Sequence, residues 1–219
     1  MDPPLLYRAA LLGTYGRRTE FSRGSITEAL FVYLDGEPEE ESIARVDSYF
    51  RNRPLVCLTK AWEEQIRVRY PDTVIYRRTA MKPACRFTIP TNIVIPKGYR
   101  LAGMDEAAFE EHPFSHGKNY LSWTAFQAEG SGAVVFYDGG IVAAASSFLS
   151  LNGEIELDIF TKEAHRGKKL ATACIALMLK DCMERGIVVH WDAQNDVSRH
   201  LAEKFGFEIE TGYSVCRLP

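Results

Sequence analysis

Along residues 154–161 polar and apolar side chains alternate, Glu154, Glu156 and Asp158 taking one set of positions and Ile155, Leu157 and Ile159 the other. A period of two predicts a strand, "IELDIFT" at 155–161, with three carboxylates on one face. The period then changes. From 168 to 185 apolar positions recur at helical spacing, and Arg185 followed by Gly186 closes the predicted helix. "IVVHWDA" (187–193) reads as a strand and "NDVSRHLAEKF" (195–205) as a helix capped by Asn195, with Val197, Leu201 and Phe205 as its apolar face. Gly206 ends it, and "FEIETGYSVCRL" supplies one or two final strands.

Upstream, "AVVFY" and "IVAAASSFL" flank "DGG" (138–140), a hairpin signal, and a second turn, "LNGE" (151–154), leads into the acidic strand. Before the hairpin come a short strand (99–102) and two helices, "MDEAAFEEH" and "NYLSWTAFQAEG" (119–130). Residues 1–95 read as a small α/β unit: strand 28–34, helix 37–53, strand 54–58, helix 61–70 and strand 73–80. "PACRFTIPTNIVIPKGY" reads as an extended connector, which places a boundary near residue 95. The second region, 96–219, then runs β-α-α-β-β-β-α-β-α-β-β.

Composition narrows the classes. A chain of 219 residues, 46% hydrophobic and 25% charged with net charge −3, has the profile of a globular protein without a global pull toward nucleic acid or acidic membranes. No apolar run is long enough to span a bilayer, and the N-terminal "LLYRAALLG" lacks the order of a secretory signal, so a cytoplasmic location is expected. The five cysteines are odd in number and form no CxxC pair, so they read as buried apolar residues. No metal is expected: His112 and His116 have helical spacing, but Pro113 and Gly117 make that stretch a loop.

The basic cluster in "HRGKKLAT" (165–172) therefore has to be judged as a local feature. The first amides of a helix have no intrahelical acceptor and carry partial positive charge, so a glycine-containing turn at a helix start can hold a phosphate or pyrophosphate. Gly167 gives backbone freedom, while Arg166 and Lys168 add charge. There is neither GxxxxGK[ST] nor GxGxxG, which excludes a P-loop and leaves a Rossmann site unsupported. A solvated basic helix start explains the turn equally well.

Two motifs in register carry a resemblance. Arg166-Gly167-Lys168-Lys169-Leu170-Ala171 resembles the R/Q-x-x-G-x-G/A turn of the GNAT-type N-acetyltransferases, and "NDVSRHLAEKFGF" (195–207) resembles their later N-x-x-S/A helix ending in GF. "HWDA" followed by this helix is similar to the zwittermicin-resistance-like branch. The resemblance is specific over about 150–207, fits in element order from 95, and is weak before that. It implies an α/β (α+β) fold with a mixed central sheet, and acetyl-CoA as cosubstrate. By matching, Phe160 and Thr161 would pair with pantetheine. Arg166, Gly167, Lys168, Lys169, Leu170, Ala171 and Thr172 would hold the pyrophosphate, with Asn195 and Ser198 completing the cofactor site. Two positions depart from the pattern: Lys169 stands where glycine is usual, and Ala202 where many members place the tyrosine that protonates the departing thiolate.

Catalytic candidates follow from the same placement. Family members often draw a base from the acidic strand, and Glu156 is the choice, although three carboxylates on one face also read as solvent-side polarity. His190 offers a neutral imidazole at pH 7, or else a hydrogen-bonded core histidine. Tyr213 is a substitute donor for the thiolate. Trp191 is core or a pocket wall, Asp192 an amine anchor or a cap, and His116, Asn119, Tyr120 and Trp123 fall where this fold shapes its acceptor site. The leading reading is acetyl transfer to a small-molecule amine, with no nucleic-acid or membrane partner. The alternative is a non-catalytic acyl-CoA sensor. Residues 1–95 could serve as a peptide groove, a lid or the arm of a homodimer.

Overall fold

The computed structural model describes residues 9–12, 20–21, 31–84, 87–111, 119–120 and 122–219. Its contacts divide the chain into two units: Met1–Ala80 with Glu210–Pro219, and Met81–Ile209. This division differs from the boundary expected near 95, for two reasons. Phe87, Ile89, Ile93 and Ile95 of the connector pack on the core of the second unit, and Cys216 and Leu218 pack in the core of the first.

In the first unit, strands β1 (Ala9–Leu12), β2 (Glu20–Phe21), β3 (Phe31–Leu34) and β4 (Leu55–Cys57) are joined by the returning part of β11 (Phe207–Arg217) and by β5 (Val74–Pro83), in the order β2-β1-β3-β4-β11-β5. β3 runs parallel to β4, and β11 antiparallel to it with Val215 opposite Val56. Helix α1 (Glu40–Arg45) continues as a π-helical turn, Val46–Phe50, where a single helix was expected over 37–53. Ile43, Val46 and Phe50 are buried with Trp62 and Ile66 of α2 (Lys60–Arg69), whose N-cap Thr59 accepts from the Trp62 amide. The thiols of Cys57 and Cys216 lie 3.6 Å apart in this core. The neighbouring Cys216 thiol, then burial, hold Cys57 well above the usual thiol range, and burial pushes Cys174 up to about 12 and Cys182 to about 11. These cysteines pack as apolar residues, as their sequence setting suggests; Cys85 lies outside the described residues.

The second unit is built on β6 (Tyr99–Gly103), β7 (Gly132–Tyr137), β8 (Gly140–Leu151), β9 (Glu154–Thr161) and β10 (Val188–Ala193), in the order β10-β9-β8-β7-β6. β9 and β10 are parallel and the other pairs antiparallel, giving the mixed sheet expected of the chain. Helix α5 (Leu170–Arg185) covers one face. Its Cys174, Ile175, Met178 and Leu179 bury against Ala133, Val135, Ala143, Ala145, Ile155, Leu157 and Val189. Burial of each large side chain here contributes about 1.5–3 kcal/mol. Ala108 of α3 (Glu106–Glu111) packs on the opposite face with Val134, Ile141 and Ala144. Helix α5 stops at Gly186, whose φ of 68° is the left-handed turn that glycine adopts without a Cβ clash.

Two further helices differ from their sequence expectation. Helix α4 spans Trp123–Glu129 instead of starting at 119, because the Ser122 side chain accepts from the Ala125 amide and caps it there. Helix α6 (Asp196–Glu203) keeps Leu201 packed on the core as expected, but not Val197. Val197 is 79% exposed, whereas Ala202 and Phe205 are fully buried. Ser198, one residue further along, occupies the inward position beside Trp191. The final strand is one, β11. Among the described residues no helix is long and apolar enough to cross a membrane.

Candidate active site

β9 leaves one neighbour before the other. Its ladder with β10 runs from Glu154 opposite Val188 to Leu157 opposite Trp191, and its ladder with β8 continues to Thr161 opposite Ala143. The β9–β10 pairing thus ends in mid-strand, and Asp158–Thr161 lies on the β9 edge beyond it. On its other side β9 meets an irregularity of β8: the register slips between Ser147 and Leu149, leaving Phe148 as a bulge opposite Leu157 and Glu156. The bulge lies on β8, so the alternation of β9 survives. The Asn119 amide donates to the Phe148 carbonyl at 2.8 Å, and the Tyr120 hydroxyl to Ser147 Oγ at 2.8 Å. These two residues, expected to line an acceptor pocket, hold the bulge in place. Trp123 stacks with Phe126, and His116 lies outside the described residues.

Beyond Thr161 the chain makes one 3-10 turn, Glu163–His165, and enters α5 through Arg166, Gly167, Lys168 and Lys169. The first helical bond there is from the Ala173 amide to the Lys169 carbonyl, so the amides of Leu170, Ala171 and Thr172 precede any helical acceptor. Gly167 has φ 77°, and a Cβ built on it would meet nothing within 4 Å, so the turn is open on that side. Lys169, in place of the usual glycine, also has φ 59°. Lys168 Nζ donates to the Ala164 carbonyl at 2.9 Å and Arg166 Nε to the Thr161 carbonyl at 3.4 Å. Both bonds are exposed and single, so these cations can exchange them for an anion at small cost. His165 is braced by Tyr99, whose hydroxyl lies 2.9 Å from Nδ1, and by the Tyr137 ring. This brace was not read from the sequence, because it joins residues 66 apart.

Ile155 and Leu157 belong to the core under α5, so Glu154, Glu156 and Asp158 share the other face of β9. His190 and Asp192 share it on β10, where Val189 and Trp191 turn toward α5. His190 is the ladder partner of Glu156, and its Nε2 lies 2.7 Å from Glu154 Oε2. One carboxylate oxygen each of Glu156 and Asp192 is shielded from solvent. Asp158 Oδ1 accepts from the Ile159 amide at 2.7 Å. Among the described residues, no three His, Cys, Asp or Glu side chains converge as for a metal ion.

Asn195 caps α6, its Oδ1 accepting from the Ser198 amide at 2.9 Å, and Ser198 Oγ accepts from the buried Trp191 indole at 3.0 Å. Both candidate cofactor residues thus have a structural task. A parted pair of parallel strands, followed by a glycine turn and a helix with open amides, suits a pyrophosphate with an extended thiol arm. The family model described as GNAT acetyltransferase matches residues 15–216. The chain belongs to the GNAT acetyltransferase family.

Individual proteins are similar to this chain in sequence or in fold. A Bacillus subtilis (strain 168) protein named uncharacterized N-acetyltransferase YdfB is 28% identical over 169 residues, which is 74% of this chain. The aligned part is 64% of that protein, so the chain spans less than two thirds of the relative's length. A GCN5-related N-acetyltransferase-like protein from Streptococcus suis 89/1591 superposes with TM-score 0.73 at 27% identity, over 86% of this chain and 79% of that one. A GCN5-related N-acetyltransferase from Sphaerobacter thermophilus, at TM-score 0.54 and 15% identity over 82% of this chain and 66% of that one, shares the fold.

The GNAT match begins well before residue 95, where the motif resemblance is weak. Of the departures, Ala202 is fully buried and packs in the core with Trp191 and Phe205, so its small size is required by the packing. Tyr213, the expected substitute donor, lies on the part of β11 belonging to the first unit, partly buried beside Tyr33, Val56 and Val215. Glu154, which the alternation already placed on the polar face, was not singled out in the sequence. Its contact with His190 depends on strand register, which the sequence does not show.

Proposed function

We propose that this GNAT protein is an acetyl-CoA-dependent N-acetyltransferase acting on the amine of a small molecule. The observation that carries the reading is the end of the β9–β10 ladder at Leu157 and Trp191, directly ahead of a turn with open amides. The residues present fit the cosubstrate. The β9 edge at Phe160 and Thr161 would pair with the pantetheine amides. Gly167 through Thr172, with Arg166 and Lys168, would hold the pyrophosphate, and Asn195 and Ser198 would border it. The "HWDA" segment and the α6 sequence support placement in the zwittermicin-resistance-like branch.

When bound, acetyl-CoA supplies an activated acyl carbon. This chain's own residues must then place the amine against that carbon, remove a proton from the ammonium and shield the pair from water. We assign the proton acceptor to the Glu156–His190 neighbours on the polar face of β9 and β10. One proton leaves the ammonium for that acceptor, the freed lone pair forms the C–N bond as the C–S bond breaks, and the second nitrogen proton goes to the departing thiolate. Carboxylates on the same face, Asp158 and Asp192, favour a cationic acceptor over an acidic one.

The test is isothermal titration of the full chain with acetyl-CoA, repeated with Arg166→Ala/Lys168→Ala. Micromolar binding, weakened by roughly tenfold or more in the double variant, is expected for loss of two charge-assisted contacts. No binding at millimolar ligand sinks the reading. A following screen of amines by thiol release separates an enzyme from a sensor, since a sensor binds without releasing thiol.

A further inference from the structure

The geometry points to Glu154 as the positioning residue for His190. The inference rests on the acetyl-transfer reading above and deepens it by choosing between the two candidate proton acceptors. Glu154 opens β9 and His190 sits in the middle of β10, and the parallel register offsets them by two positions along the shared polar face. The offset brings Oε2 of Glu154 to 2.7 Å from Nε2 of His190. The two side chains are 39% and 24% exposed, so the bond lies at the margin of the face and is partly withdrawn from water.

A carboxylate accepts hydrogen bonds and donates none. Nε2 must therefore carry the ring proton, which leaves Nδ1 of the neutral ring as the nitrogen with a lone pair. The same bond steadies the imidazolium that forms when Nδ1 takes the ammonium proton, because the positive ring remains hydrogen-bonded to a negative partner. The proton acceptor is thus His190 Nδ1, with Glu154 fixing its tautomer and ring plane, and Glu156 becomes a charged neighbour on the same face. The proton balance is that of acetyl transfer. His190 gains one proton from the ammonium and returns it to solvent, the C–N bond forms, the C–S bond breaks, and the thiol leaves with the second nitrogen proton.

The experiment has two arms on the full chain. In the first, long-range proton–nitrogen NMR correlation of the uniformly labelled protein, with His190→Gln to assign the ring, reports which nitrogen is protonated. The expected result is protonation on Nε2 in the native chain and a mixed tautomer in Glu154→Leu. A native ring protonated on Nδ1 overturns the inference. In the second, thiol release is followed with acetyl-CoA and the best amine from the screen. Glu154→Leu should lower kcat by roughly tenfold or more while KM for acetyl-CoA stays within about twofold. Glu154→Gln keeps an acceptor oxygen for Nε2–H and should recover part of that loss, a recovery that a role in folding alone does not predict. Unchanged kcat in Glu154→Leu, or in His190→Gln, overturns the inference. Failure of every amine to release thiol, with the ring still protonated on Nε2, removes the transferase reading and leaves the tautomer assignment standing.

Discussion

Lys169 offers the sharpest energetic test of the turn. Its φ of 59° puts an L-residue with a long side chain in the left-handed region, at the position directly before α5. For a residue with a Cβ that conformation costs roughly 1–2 kcal/mol, and glycine escapes it. Glycine gives back about 0.4–1 kcal/mol through the greater freedom of its unfolded chain. Lys169→Gly should therefore stabilise the protein by about 1 kcal/mol relative to Lys169→Ala, which removes the same charge but keeps the Cβ. In a chain of this size that difference appears as about 2–4 °C in the melting temperature. The assay is thermal unfolding by circular dichroism of both variants, with attention to the transition of the second unit, alongside acetyl-CoA titration. The amide at 169 survives in both variants, so affinity should stay within about threefold if the backbone carries most of the binding. An alanine variant as stable as the glycine variant refutes the strain argument.

Other outcomes can be checked in the same way. The Glu63 carboxyl is lowered from 4.5 to about 2 by hydrogen bonds from Ser214, then Arg77 and Arg67, against the opposing effect of burial. Its folded value is depressed, so its contribution is complete above about pH 4.5 and lost as pH falls toward 2. Because Arg67 and Arg77 are 55% and 68% exposed, screening leaves about 1–2 kcal/mol. Urea midpoints of Glu63→Gln and the native chain should differ most above pH 5, draw together as pH falls, and converge only near pH 2. Ser198→Ala strands the buried Trp191 indole N–H and should cost about 1–3 kcal/mol, while adding it to Trp191→Phe should cost much less, as a double-mutant cycle by denaturation will show. Ala202→Tyr forces a ring into a site with no exposure and should destabilise by roughly 1–3 kcal/mol without raising thiol release.

The strongest periodicities were legible in the sequence. The alternation of β9 and the apolar rows of α5 needed only local spacing, and both elements lie within two residues of their expected limits. The glycine turn ahead of α5 was legible as a motif, although the positive φ of Lys169 was not, since lysine gives no sign of it. What depends on a partner strand was hidden. The parting of β9 from β10, the Phe148 bulge and the Glu154–His190 bond all follow from register, which links residues far apart in the chain. Helix α6 shows the limit of apolar spacing. Leu201 and Phe205 of the expected stripe pack on the core, but Val197 lies in water, and Ser198 takes the inward position where it accepts from the Trp191 indole.

The strand Phe207–Arg217 has a consequence for how the protein is born. Its part from Glu210 onward fills the place between β4 and β5 in the first unit, yet the ribosome makes that part only after the second unit. At about 5–20 residues per second, the early segment waits on the order of ten seconds for it. Throughout that interval β4 presents an apolar open edge at Leu55–Cys57, and the core lacks Cys216. Vectorial synthesis therefore reverses the order of maturation: the part made first is completed last, and its interim edge is where nascent chains would meet a chaperone or one another.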